Sequence, residues 1–482
     1  MHTSTGTVIL VGWAFVVPLL PAVPASAAEA MCEGRAATHI GTEGDDVLVG
    51  TDGDDVMVGL GGDDTVSGLL GNDVICGDAG SDRLAGMAGD DRILGGRDSD
   101  AGGDVIWPGT GSDHVDAGLD PLTLEDYSVP ADTIKYEDLL EAGVAGGIRV
   151  DLSTAALGGL GVVVEPSGTD HVVVAELLAI VGTREADVMI GSAYPDVLAG
   201  RGGADQIDGG GGHDALYADY SDNDVLPEAD GPDEIDGGPG SDWIVLGRAG
   251  GTARGGEDPD HLAAGPASGQ ADLHGEDGAD EILVAATEDV DVEGGAGRDS
   301  IVLGLTPGSR GISLDGGSSN DLALLHVRNA GFPQGSTITV DLARRVLHTG
   351  MRAGRLHSLE LMGFIGKDEQ WRVRGTHRNE SVLLRGGRGL EARMGGGRDT
   401  VVGTRGPDVL DMGGGRDFAN GRQGRDTCLA AERVRSCENV RGGRSDRAVR
   451  QAREQARDAL GGVVPRTSAV PRLPVGGSGL HE

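Results

Sequence analysis

From Gly41 the chain places glycine, aspartate and medium-sized apolar residues with a period of nine: GTEGDDVLV, GTDGDDVMV, GLGGDDTVS, GLLGNDVIC, GDAGSDRLA, GMAGDDRIL. Glycine holds positions one and four. Aspartate holds position six (Asp46, Asp55, Asp64, Asp73, Asp82, Asp91), and an apolar residue holds position eight (Leu48, Met57, Val66, Ile75, Leu84, Ile93). Six residues with two glycines suit a turn, and the last three read as a short extended segment with the position-eight side chain inward. One nonapeptide therefore gives one turn and one strand, and two complete a coil. A single coil cannot bury its inward face, so the pattern predicts an all-β solenoid of stacked coils with parallel strands.

In such a coil, repeat n lies under repeat n+2, so Asp46 stacks on Asp64, Asp55 on Asp73, Asp64 on Asp82 and Asp73 on Asp91. Stacked strands are ~4.8 Å apart, and two bare carboxylates at that distance repel by about 3.5 kcal/mol at an effective dielectric of ~20. A divalent cation between them reverses the sign. Turn carbonyls add oxygen ligands toward the six to eight that Ca²⁺ accepts, whereas Mg²⁺ demands a tighter octahedron. Zn²⁺ is disfavoured because the set contains no Cys or His.

The pattern divides the chain. Residues 41–116 form the first array, which continues in a shifted phase with Asp104 and Asp113. Residues 117–181 carry longer apolar runs, including 148–152 and 171–174, and read as a β-rich connector. A second array over 182–324 supplies Asp205, Asp214, Asp233 and Asp242. Glu185, Tyr194 and Asp222 replace its position-four glycine and put Asp187, Asp196 and Asp224 outside the expected ligand set. Beyond Asp242 the spacing lengthens to one whole coil (Asp260, Asp280, Asp299, Asp321), so one edge alone is expected to keep the aspartate turn. Residues 325–393 resemble the first connector. Residues 394–437 return to strict period nine with Asp399, Asp408, Asp417 and Asp426, and 438–482 form an Arg-rich tail with a short helix between Ser445 and Leu460.

Composition explains why metal is needed. Glycine accounts for 87 of 482 residues and aromatics for 3%, so a conventional core is weak. Asp and Glu number 78 against 39 Lys and Arg, a formal charge of −39 that argues against nucleic acid as a partner. Residues 1–27 read as a Sec-type signal peptide, with an apolar run over 8–20 and cleavage after Ala27 in Ala25-Ser26-Ala27; residues 28–40 form an N-terminal cap segment. No later segment is apolar enough to span a membrane. Four cysteines in an exported chain predict two disulfides, Cys32 with Cys76 and Cys428 with Cys437, one pair at each end of the repeat region.

These nonapeptides resemble the G-G-x-G-x-D-x-U-x repeats of the RTX (repeats-in-toxin, haemolysin-type) calcium-binding family. The resemblance implies a right-handed parallel β-roll with multiple Ca²⁺ ions between successive turns. The opening Cys32-Glu33-Gly34 and the later Ile75-Cys76-Gly77 resemble those of stand-alone exported calcium-binding proteins of actinobacteria. There is no H-E-x-x-H, although twelve histidines are present, and no G-x-S-x-G. The chain is therefore read as a secreted calcium-binding protein and not an enzyme. The competing readings are a β-helical carbohydrate-active enzyme with its site in a connector, and a calcium-dependent extracellular adhesin with a polysaccharide or cell-surface partner.

Overall fold

The computed structural model describes residues 30–96, 103–118, 132–137, 145–156, 158–173, 178–219, 231–265, 269–285, 288–306, 309–327, 332, 335–349 and 353–441. The expected signal peptide and its cleavage site, Asp224, and the expected helix between Ser445 and Leu460 lie outside these residues. Among the described residues all regular structure is β-strand, and none forms a helix long and apolar enough to cross a membrane.

The strands form a parallel β-solenoid of about 18 turns with two long sheets. One sheet is uninterrupted and wholly parallel, from Val47–Val49 to Arg433–Arg435. Its first register, Leu48↔Val66, joins residues 18 apart, as does Met57↔Ile75 in the facing sheet. Two nonapeptides thus make one coil. The inward position-eight residues Met57, Val66, Ile75, Leu84 and Ile93 are fully buried, and the core they begin runs without a break to Ala431.

The second sheet departs from this plan twice. Beside His114–Gly118 lies Thr169–Val173 in parallel; Leu160–Val164 and then Arg149–Asp151 follow antiparallel, and Arg149–Asp151 pairs in parallel with Val188–Ile190. The same arrangement recurs with Arg310–Asp315, Ala353–His357, Val346–His348, Thr337–Asp341 and Gln370–Arg374. Three antiparallel strands are an odd number, so the chain leaves each meander in its original direction and the parallel ladder resumes. Phe364 and Trp371, with ring centroids 4.6 Å apart, fill the core beside the second meander.

Both disulfides close as paired. Cys32–Cys76 ties the antiparallel pair Met31–Cys32 and Arg35–Ala36 to Val74–Ala79, and Cys428–Cys437 clips the last coils.

Candidate metal centre

Each nonapeptide turn carries its position-six carboxylate inward beneath the backbone of a neighbouring coil. The backbone N–H of each such residue donates to Oδ1 of the one stacked on it. On one edge of the first array Asp46 donates to Asp64 (2.8 Å), Asp64 to Asp82 (2.8 Å), Asp82 to Asp104 (2.8 Å) and Asp104 to Asp132 (2.9 Å). On the other edge the series is Asp55, Asp73, Asp91, Asp113 and Asp170, at 2.7–2.9 Å. The second array gives Asp187, Asp205 and Asp233 on one edge, and Asp196, Asp214, Asp242, Asp260, Asp280, Asp299 and Asp321 on the other. The last array gives Glu380, Asp399, Asp417 and Glu432, beside Asp408, Asp426 and Glu438.

Every aspartate of the expected ligand set therefore lies in one of six columns. Asp260, Asp280, Asp299 and Asp321, expected from the whole-coil spacing, lie in one column, and the structure adds Asp132, Asp170, Asp187 and Asp196, with glutamates at 360, 380, 432 and 438. The amide contact itself was not foreseen from spacing: it occupies one carboxylate oxygen at each step and leaves the other.

What meets the second oxygen separates two kinds of turn. In the first kind, position two is Thr or Ser, and its N–H donates to the carboxylate: Thr42 to Asp46 (2.6 Å), Thr51 to Asp55 (2.7 Å), Thr183 to Asp187 (2.7 Å), Ser192 to Asp196 (2.6 Å), Thr376 to Glu380 (2.9 Å) and Thr404 to Asp408 (2.8 Å). The hydroxyl also accepts the position-four N–H, as Thr183 does from Glu185 (3.1 Å) and Ser192 from Tyr194 (3.0 Å). Position four then needs no left-handed backbone, so Glu185 and Tyr194 stand there without strain.

In the second kind, position two has positive φ (Leu60 82°, Leu69 79°, Met87 77°, Arg201 79°), and position four is usually a glycine with positive φ, such as Gly71 at 117°. Here Oδ2 is buried without a hydrogen-bond partner at Asp64, Asp73, Asp91, Asp113, Asp205, Asp214, Asp242, Asp260, Asp280, Asp299, Asp321, Asp399, Asp417 and Asp426. A buried anionic oxygen left in this state is strongly unfavourable. It also lies in an oxygen-lined cradle: a Cβ added to Gly68 would collide with Asp73 Oδ2 and come within 2.9 Å of the Gly86 carbonyl oxygen.

Burial raises carboxyls in both kinds of turn: Asp187, Asp196 and Asp408 of the first kind rise to about 6, as do Asp242 and Asp321 of the second, and the higher values all fall in the second kind. Burial pushes Asp91, Asp280 and Asp399 up to about 7, Asp205, Asp214 and Asp260 to about 8, and Asp113 to about 9. Asp55 goes the other way. Against the upward push of burial, hydrogen bonds from the Thr51 backbone and the Thr51 and Thr38 hydroxyls hold it below the usual range. The second kind of turn thus offers what a hard divalent cation requires: carboxylate and carbonyl oxygens only, already desolvated, with negative charge uncompensated.

Five segments, residues 40–75, 77–115, 181–216, 229–253 and 395–428, match the model of the RTX calcium-binding nonapeptide repeat (4 copies). No curated protein matches the chain.

Two outcomes test the turn geometry. Gly53 and Gly71 are stacked position-four glycines, but a Cβ on Gly53 meets nothing within 4 Å whereas one on Gly71 lies 2.6 Å from the Gly53 carbonyl carbon. Gly53→Ala is expected to change stability by less than about 0.5 kcal/mol and Gly71→Ala to destabilise by about 3 kcal/mol or more, read from thermal unfolding in saturating calcium. The second outcome concerns the metal-free protein. A carboxyl with its folded pKa raised binds more protons folded than unfolded, so its contribution to stability is complete below about pH 4 and is lost as pH rises through 6–9. The chelated chain is expected to gain β-structure on acidification from pH 8 to pH 4.5 by circular dichroism; a loss would contradict the raised values.

Proposed function

We propose that this chain, whose nonapeptides are RTX calcium-binding repeats, is an exported, non-catalytic protein in which Ca²⁺ at the second kind of turn drives folding and rigidifies the roll. The observation that carries the reading is the run of buried aspartate oxygens without a hydrogen-bond partner. The proposed ligands are Asp64, Asp73, Asp82, Asp91, Asp104, Asp113, Asp205, Asp214, Asp233, Asp242, Asp399, Asp417 and Asp426, joined by Asp260, Asp280, Asp299 and Asp321. Asp46, Asp55 and Asp408 also satisfy the repeat spacing, but a threonine already holds the second oxygen of each. They act as metal-free first steps on which a column is built. Two disulfides fit an oxidising compartment outside the cytoplasm, where Ca²⁺ is plentiful.

Because the ligands are assembled only by stacking, metal-binding free energy becomes folding free energy. Chelation is expected to abolish most of the β signal in circular dichroism and calcium to restore it; β-content indifferent to chelator would overturn the proposal. Calorimetric titration separates the two turns. Asp73→Asn is expected to remove or weaken binding at its step. Thr51→Val is expected to leave the number of bound ions unchanged while lowering stability by about 1–2 kcal/mol.

A second reading concerns a partner. Beside the second meander a groove of about 820 Å³ is lined by Arg345, Arg374, Arg378, Arg393, His357 and His377, with Glu360, Glu380 and Asp411. Four arginines line this groove, Arg378 paired with Glu360 (3.6 Å) and Arg393 with Glu391 (2.9 Å), and they suit an acidic extracellular polysaccharide. Polygalacturonate is expected to bind the calcium-loaded protein in a salt-sensitive manner without being cleaved. The double variant Arg374→Ala/Arg378→Ala is expected to weaken that binding at least tenfold; undiminished binding would dismiss the groove.

A further inference from the structure

The edge column Asp55–Asp73–Asp91–Asp113 does not stop where its repeats do. Its last step is Asp170, on a strand of the first meander and 57 residues beyond Asp113 in sequence, whose Oδ1 accepts the Asp113 N–H at 2.9 Å. The turn before Asp170 is a β-hairpin loop: Val164 pairs with Thr169, and the Glu165 N–H donates to the Gly168 carbonyl at 3.3 Å. Gly168 packs against the Gly111 carbonyl as a position-four glycine does on the coil beneath it. By this alignment Glu165 stands at position one, which is glycine in most of the regular turns and carries no other carboxylate in this column.

Its carboxylate enters the column. Ligand oxygens of Asp113, Glu165 and Asp170 all lie within 4.8 Å of one another, and all three residues are buried, at 1%, 5% and 0% exposure. Glu165 Oε1 accepts from the Ser167 hydroxyl (2.7 Å) and the Gly111 N–H (3.3 Å), contacts that fix the side chain in this position. Asp113 directs a buried Oδ2 with no hydrogen-bond partner into the cluster, and Asp170 is met there by the hydroxyl of fully buried Tyr136.

We infer that Asp113, Glu165 and Asp170 form a three-carboxylate cation site, built half from a repeat turn and half from the meander hairpin, that takes Ca²⁺ more tightly than the two-carboxylate steps of the columns. Glu165 and Asp170 lie outside every segment that matches the repeat family. The inference rests on the reading of column aspartates as calcium ligands and adds a ligand that the repeat does not supply. A third carboxylate raises the charge facing the ion, and ligand charge together with rigidity sets calcium affinity at oxygen sites. Placed where the repeats end, the site pins the hairpin onto the first array and closes the column with metal.

The test is calorimetric titration of the decalcified chain with CaCl₂, paired with Tb³⁺ emission sensitised by aromatic side chains. Glu165→Gln keeps the shape and the acceptor at Oε1. It is expected to weaken the tightest binding step by about tenfold or more while the calcium-induced circular dichroism of the repeats persists. Asp170→Asn is expected to do the same, and Tyr136→Phe to diminish terbium emission at the first equivalent with all three carboxylates kept. A Glu165→Gln isotherm superimposable on the wild type, in protein that still takes up calcium, would overturn this site and leave the repeat reading intact. A wild-type chain that binds no calcium would overturn both. Should Glu165→Gln not assemble, the Tyr136→Phe emission decides: full emission at the first equivalent would refute the site.

Discussion

The structure depends on a single repeated contact, the backbone N–H of one column residue donating to the carboxylate of the next. That bond sets the rise between coils, holds each side chain in a buried position, and satisfies one of its two oxygens. The other oxygen is left to the turn. A threonine or serine at position two donates to the carboxylate from its own N–H, and a buried oxygen stays unpartnered even so at Asp196 and Glu380; a residue with positive φ at that position leaves the second oxygen without this donor. On the proposed function, the roll is a scaffold in which backbone hydrogen bonding buries charge that a cation would balance, and the apolar core alone, narrow and poor in aromatics, is a weak counterweight.

Much of this was legible in the chain. The period of nine specified coil register and inward side chains, and Leu84 and Ile93 are buried as position eight requires. Cysteines at the two ends of the repeat region specified both pairings. Other features were hidden for physical reasons. Glu185 and Tyr194 looked like damaged turns because glycine was assumed necessary at position four, yet Thr183 and Ser192 two residues earlier remove that need. The signal was a Thr or Ser following the position-one residue. Asp132 and Asp170 continue their columns beyond Asp104 and Asp113, but 28 and 57 residues separate the partners, so no periodicity connects them. Glu380, Glu432 and Glu438 replace aspartate in the columns, and a search for aspartate alone passes over them.

Threonine and serine turns are not scattered. Thr42 and Thr51 open the first two columns, Thr183 and Ser192 the next two, and Thr376 and Thr404 the last two. Each column therefore begins on a turn that holds its carboxylate with the chain's own donors and offers the following coil a formed surface. The final columns end on Glu432 and Glu438, whose longer side chains reach the amides of Asp417 and Asp426 at 2.6 Å. Six columns with their own beginnings divide the described roll into blocks that share one core.

The meanders carry a different implication. Between Val105–Trp107 and Leu178–Val181 the uninterrupted sheet advances two strand spacings, while the facing sheet advances four between His114–Gly118 and Val188–Ile190. The second meander repeats the imbalance on the same face. Each insertion makes that face longer by about 10 Å. Such a surplus has two outlets, a bow of the axis toward the shorter face or a hump standing off it. Either one gives an otherwise featureless rod two landmarks, and the arginine-lined groove sits at the second.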